Sequence, residues 1–217
     1  MKKPDFEVSE FPQSGQQLFV SSGSPKEYAH IAWGNMSAQF YGYIAGYKEA
    51  ADAIIQQALE TGDNHVRYCV FPACFLYRQH LELALKDIYL SNSKDSKEKK
   101  SLTLKDCQHN LRKIGSRVKP LIIADFPNDD KTVLDSVVDY INQFAVEDGN
   151  SFASRYPITK DLDFVNSGVK FVNLVNLARR MDEIETFLSA VSTGMSAHRD
   201  FESGMLSYHS VDMENYY

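Results

Sequence analysis

The chain has 217 residues, 43% hydrophobic and 24% charged, which excludes a disordered or fibrous protein and suits one soluble globular domain, alone or with an appended arm. A chain of this size buries close to ~70% of the surface its unfolded form exposes, so it needs neither a metal nor a disulfide staple to fold. The formal net charge of −6 repels polyanions, which confines any nucleic-acid contact to a local patch. Cys69, Cys74 and Cys107 cannot all pair and form no CxxC, so a reducing compartment with free thiols is expected. The first residues lack the apolar stretch of a secretory signal. The longest apolar run, Tyr68 to Tyr77, is far shorter than the ~20 residues of a membrane span. A cytoplasmic protein with no membrane partner is the expectation.

Residues 1–35 are rich in Ser, Gly, Gln and aromatic residues without a helical period, and read as an irregular arm. From Met36, the steps Phe40, Ile44, Tyr47, Ala51, Ile54 and Ala58 lay one apolar stripe on a helix that Thr61-Gly62 ends. A second helix is expected from an Asp63 or Asn64 cap through Tyr89, with a kink or restart at Pro72. Its segment Cys69 to Tyr77 is apolar on every face and reads as the centre of the core. Ser91 to Lys100 has four Lys and no apolar residue, so a solvated loop is expected there. A third helix from about Thr103 takes in Leu104, Cys107, Leu111 and Ile114 and stops near Pro120. A fourth, Thr132 to about Ala145, places Leu134, Val137, Val138, Ile141 and Phe144 on one face. Residues 148–157 are rich in turn formers. A last helix from Lys170 to about Val191 carries Leu174, Ala178, Met181, Ile184 or Glu185, and Leu188, and the tail 192–217 shows no period. The pattern predicts an all-α fold, an up-and-down bundle of four to five helices over 36–191 between an irregular arm and tail.

Within the second helix, Arg78, Glu82 and Lys86 stand at i, i+4 and i+8, three alternating charges on one face. They form either a solvated salt-bridge ladder or an arginine that Glu82 orients in a cleft toward a phosphate or carboxylate. His80 lies about 200° around the helix from Arg78, at ~100° per residue, so one helix cannot aim both at one atom. His109, a turn before Arg112, is either a structural donor or half of a phosphate-handling pair. Ser151, Arg155 and Tyr156 belong to a polar loop that is either tied down by its own side chains, with Arg155 docked on Glu82, or part of a site. No phosphate-binding glycine loop, GxSxG, HExxH or EF-hand pattern occurs, and no metal or other cofactor is predicted. Lys94 to Lys100 with Arg112, Lys113, Arg117 and Lys119 make the only basic patch.

The run Phe75-Leu76-Tyr77-Arg78-Gln79-His80-Leu81-Glu82-Leu83-Ala84-Leu85-Lys86, with His109-Asn110-Leu111 and Ser151-Phe152-Ala153-Ser154-Arg155-Tyr156-Pro157, resembles bacterial proteins distantly grouped with the HEPN superfamily. The resemblance covers about Tyr41 to Leu188. It implies a helical bundle that dimerises, in toxin-antitoxin and antiphage systems, whose active members are metal-independent ribonucleases. In those members a His and an Arg from an Arg-x4-6-His motif act on the ribose 2′-hydroxyl and the scissile phosphate. No Arg of this chain precedes a His at that spacing, so the corresponding groups would have to converge from separate elements. The expected catalytic set is His109, Arg78 and Arg155, with His80, Glu82, Lys86, Arg112, Ser151 and Tyr156 as binding residues. The expected partners are RNA, a second copy of the chain and a protein from the same operon. The competing reading is a non-catalytic, homodimeric helical interaction module that binds a partner protein.

Overall fold

A computed structural model describes residues 34–62, 64–147 and 171–214, the short stretches 14–20, 155–158 and 161–163, and five single positions between 23 and 31. The chain divides into two units, Met1–Gly34 and Asn35–Tyr217. The described part of the first is turn, bend and coil, with Leu18 and Phe19 exposed. The second is all-α, with six helices among its described residues: α1 Met36–Thr61, α2 Asn64–Asn92, α3 Lys97–Cys107, α4 Leu111–Asp125, α5 Thr132–Glu147 and α6 Leu174–Glu214.

Local signals start and stop most of these. The Asn35 side chain accepts from the Ala38 amide at the start of α1, and Gly62, at φ 75°, ends it by donating to the Ala58 carbonyl. Ile44 faces His80 and Asp52 faces Tyr77, so α1 and α2 run antiparallel. Contacts from His80 to Glu185 and from Asn92 to Arg199 show that α6 runs parallel to α2. Contacts from Arg78 to His109 and from Asp125 to His198 give α4 the same direction. The core is the seam among these helices: Leu81, Leu85 and Ile88 of α2, Ile114, Val118 and Ile122 of α4, Leu134, Val137 and Ile141 of α5, and Met181, Ile184 and Leu188 of α6. Ile184, not Glu185, takes the inward position on α6.

Several expectations change. The anticipated third helix is two, because Gln108 leaves the helical region and Asn110 caps a new helix, although Cys107, Leu111 and Ile114 keep a helical spacing across the break. The lysine stretch is a loop only over 93–96. Ser96 caps α3, so Lys97 to Lys100 are helical, with Lys97 and Lys99 exposed and Lys100 half-buried, its ammonium donating to the Leu90 carbonyl. Neither internal proline ends its helix: α2 continues through Pro72 and α4 through Pro120 to Asp125. A mid-helix proline costs about 3 kcal/mol, against which stand the burial of Ile122 and the packing of half-buried Leu121 and Phe126 on the core. The apolar segment Cys69 to Tyr77 is not the core centre. Only Ala73 and Tyr77 are buried there, whereas Tyr68 and Phe71 face solvent. α6 also continues past Val191, so much of the anticipated tail is helix.

Candidate functional site

Two polar clusters lie on opposite sides of α2. The first is built on the i, i+4, i+8 ladder. Arg78 Nη1 donates to Glu82 Oε2 at 2.7 Å, and Lys86 Nζ donates to Glu82 Oε1 at 2.6 Å. This ladder is not solvated: the Arg78 side chain is 0% exposed, Glu82 3% and Lys86 17%. Its cover comes from the link between α3 and α4. The remaining Arg78 amino group, Nη2, donates to the His109 carbonyl, and His109 Nδ1 lies 3.0 Å from Glu82 Oε1 and 3.3 Å from Oε2. Burial would raise the Glu82 carboxyl, but hydrogen bonds and charge from Lys86 and Arg78 outweigh it and hold the group below the usual carboxylate range. Glu82 is therefore an acceptor, and His109 Nδ1 must donate to it. In the neutral ring the lone pair then sits on Nε2. The His109 side chain is 57% exposed, so a ring fixed by a buried carboxylate opens onto solvent. The residue before it, Gln108, has φ 47°, a left-handed conformation that a non-glycine residue adopts only when its surroundings impose it.

The second cluster joins α1, α2 and α6. Lys48 Nζ binds Asp52 at 2.6 Å and Asp182 at 2.5 Å, and the Tyr77 hydroxyl donates to Asp52 at 2.5 Å. Burial alone would lower the Lys48 ammonium, yet the hydrogen bonds and charges of Asp182 and Asp52 hold it above the ordinary lysine value. Burial and the neighbouring Asp52 push the Tyr77 phenol well up. His80 is fully buried, with Nδ1 3.0 Å from the Ile44 carbonyl and Nε2 2.9 Å from Glu185, off the line of a hydrogen bond. Lys48, Asp52, Tyr77, Asp182 and Glu185 were not anticipated. The signal available in the sequence was Lys48 itself, a charged residue between the apolar positions Ile44 and Ala51 of the α1 stripe.

No known protein family, characterised protein or solved structure matches the chain. The site must be read from its own geometry, which unites Arg78, Glu82, Lys86 and His109 and sends His80 to the other cluster. Arg155 is not seen docked on Glu82; its guanidinium stands 5.9 Å from the Phe75 ring and 5.6 Å from that of Tyr156. Arg112 is exposed in the first turn of α4. Ser151 lies outside the described residues. Among the described residues, no group of three or more His, Cys, Asp or Glu is placed to hold a metal ion, and no helix is long and apolar enough to cross a membrane.

The charge around His109 differs from that of the whole chain. Residues 94–119 carry nine Lys or Arg against three Asp or Glu, and all other residues together carry 14 against 26. Lys105, Arg112 and Lys113, each within four residues of His109 in the sequence, are exposed, with Lys113 Nζ 3.1 Å from the Asp106 carboxylate. A local positive field can therefore form on an acidic protein.

Proposed function

We propose that the chain is a HEPN-like helical protein that engages RNA where α3 meets α4, with His109 as the proton-handling group of a metal-independent cleavage. One observation carries this reading: His109 is tied through Nδ1 to a buried carboxylate while the rest of its ring faces solvent within the basic segment. In the proposed step, Nε2 takes the proton of a ribose 2′-hydroxyl. The 2′-oxygen forms a bond to the adjacent phosphorus, the bond from phosphorus to the 5′-oxygen breaks, and that oxygen takes a proton from water. Arg112 and Lys113 supply positive charge for the phosphate. Arg78 has both amino groups engaged inside the protein, so it acts as a positioning residue, through Glu82 and the His109 carbonyl.

The test is incubation of the purified full chain with single-stranded RNA in excess chelator. Cleavage leaving 2′,3′-cyclic phosphate ends is expected, with a loss of at least about a hundredfold in His109→Ala. Cleavage unaffected by that substitution would contradict the assignment. The non-catalytic module that binds a partner protein is favoured by a different observation: Arg78 and His80 are both closed off, while Leu59, Tyr68 and Phe71 expose apolar surface on the α1–α2 hairpin. A folded protein that leaves RNA intact would favour that second reading.

A further inference from the structure

α6 is 41 residues long, but its last buried core residue is Met195. His198, 2.8 Å from Asp125, and Arg199, bonded to Asn92, fasten it to the ends of α4 and α2. Beyond them, residues 200–214 continue as helix for about 22 Å. Residues 200–205 are all exposed, including Phe201 at 70% and Met205 one turn on. A helix of this length is marginal in water without a packing partner. The extension carries Asp200, Glu202, Asp212 and Glu214 and no Lys or Arg.

The complementary surface is α3. Leu102 is 65% exposed in the middle of this helix, three residues from Lys99 on one side and from Lys105 on the other, with Lys97 also exposed. α3 starts five residues after Asn92, at the same end of the bundle from which α6 leaves, as the bond from Lys100 Nζ to the Leu90 carbonyl confirms. A continuous helix leaving that end runs away from its own α3, whereas a second copy facing it end to end presents an α3 alongside. We propose that the chain forms a reciprocal dimer in which the acidic extension of α6 from each copy lies on α3 of the other, Phe201 and Met205 covering Leu102. Each copy gives one extension and receives one, as two-fold symmetry requires. The opposite charges favour this pairing and penalise like faces. The contact uses exposed lysines of α3 that the RNA reading also counts in its basic segment, so the dimer is tested without RNA, and its failure leaves the His109 assignment standing.

Sedimentation of the full chain tests it. The expected result is a dimer that weakens as salt rises to ~0.5 M, where exposed charges are screened. Phe201→Glu and Leu102→Glu, each verified as folded by circular dichroism, should each weaken the dimer at least about tenfold. Mixing the two variants restores one intact contact, from the unaltered extension of the Leu102→Glu chain to the unaltered α3 of the Phe201→Glu chain. The mixture should therefore associate more tightly than either variant alone. A chain that stays monomeric, a dimer indifferent to both substitutions, or a mixture no tighter than its components would each overturn the proposal.

Discussion

Glu82 accepts hydrogen bonds from Lys86, Arg78 and His109, so its charge is the point on which the whole cluster depends. In Glu82→Gln the buried Arg78 loses its counter-charge, and urea unfolding should show a loss of about 3–5 kcal/mol, as for other buried pairs broken from one side. On the opposite face of α2, Tyr77→Phe removes one hydrogen bond to Asp52 while keeping the packing, and should cost about 1 kcal/mol in the same assay. Glu185 gives a pH signature. Its pairing with His80 outweighs burial and holds the carboxyl below the usual carboxylate value. A carboxyl lowered in the folded state stabilises fully above the unfolded value of ~4.3 and loses that contribution as pH falls toward the folded value. Thermal melts should thus show a shallower loss of Tm between pH 6 and 3 in Glu185→Gln than in the unaltered protein. Such spacing as Arg78, Glu82, Lys86 was legible because neighbours on a helix face are local. Its burial was not, because the cover arrives from His109, 27 residues beyond Glu82.

At the scale of elements, amphipathic stripes were the readable part. α5 falls where the spacing of Leu134, Val137 and Ile141 puts it, and α1 ends at Gly62 as its turn chemistry requires. What misled was a pattern that continued through a break: Leu104, Cys107, Leu111 and Ile114 suit one helix, yet Asn110 caps a second. That cap also fixes the residue beside His109, since the Asn110 side chain accepts from the Lys113 amide at 3.0 Å. Asn110→Ala should cost about 1 kcal/mol of stability. It should also lower RNA cleavage by more than that loss of folded protein explains, because the His109 backbone loses its anchor. The prolines misled for the opposite reason. A local penalty at Pro72 or Pro120 is a fixed cost, which packing elsewhere along the same helix exceeds: Tyr77, Leu81 and Leu85 beyond Pro72, and Ile122 beyond Pro120, are buried.

For the molecule as a whole, net charge concealed a division. The −6 of the chain combines a basic α3–α4 region with a more acidic remainder, so affinity for RNA should fall steeply with salt despite the acidic balance. Replacing Arg112 and Lys113 by Glu should weaken filter binding and flatten its salt slope by about two phosphate contacts. The all-α class was legible from periodicity, whereas the polar seam of Lys48, Asp52, Tyr77, His80, Asp182 and Glu185 was not. Its members are spread over three helices, and Asp182 and Glu185 join the others only when α6 docks on the α1–α2 hairpin.

The central claim is that Glu82 fixes the His109 ring with its proton on Nδ1 and a bare Nε2 toward solvent. Nitrogen-15 NMR of the histidine rings, at a pH where His109 is neutral, measures this directly. The expected spectrum shows a protonated Nδ1 and an unprotonated Nε2, with the preference lost in Glu82→Gln. A His109 ring protonated on Nε2, or one whose tautomer ignores Glu82, would contradict the account.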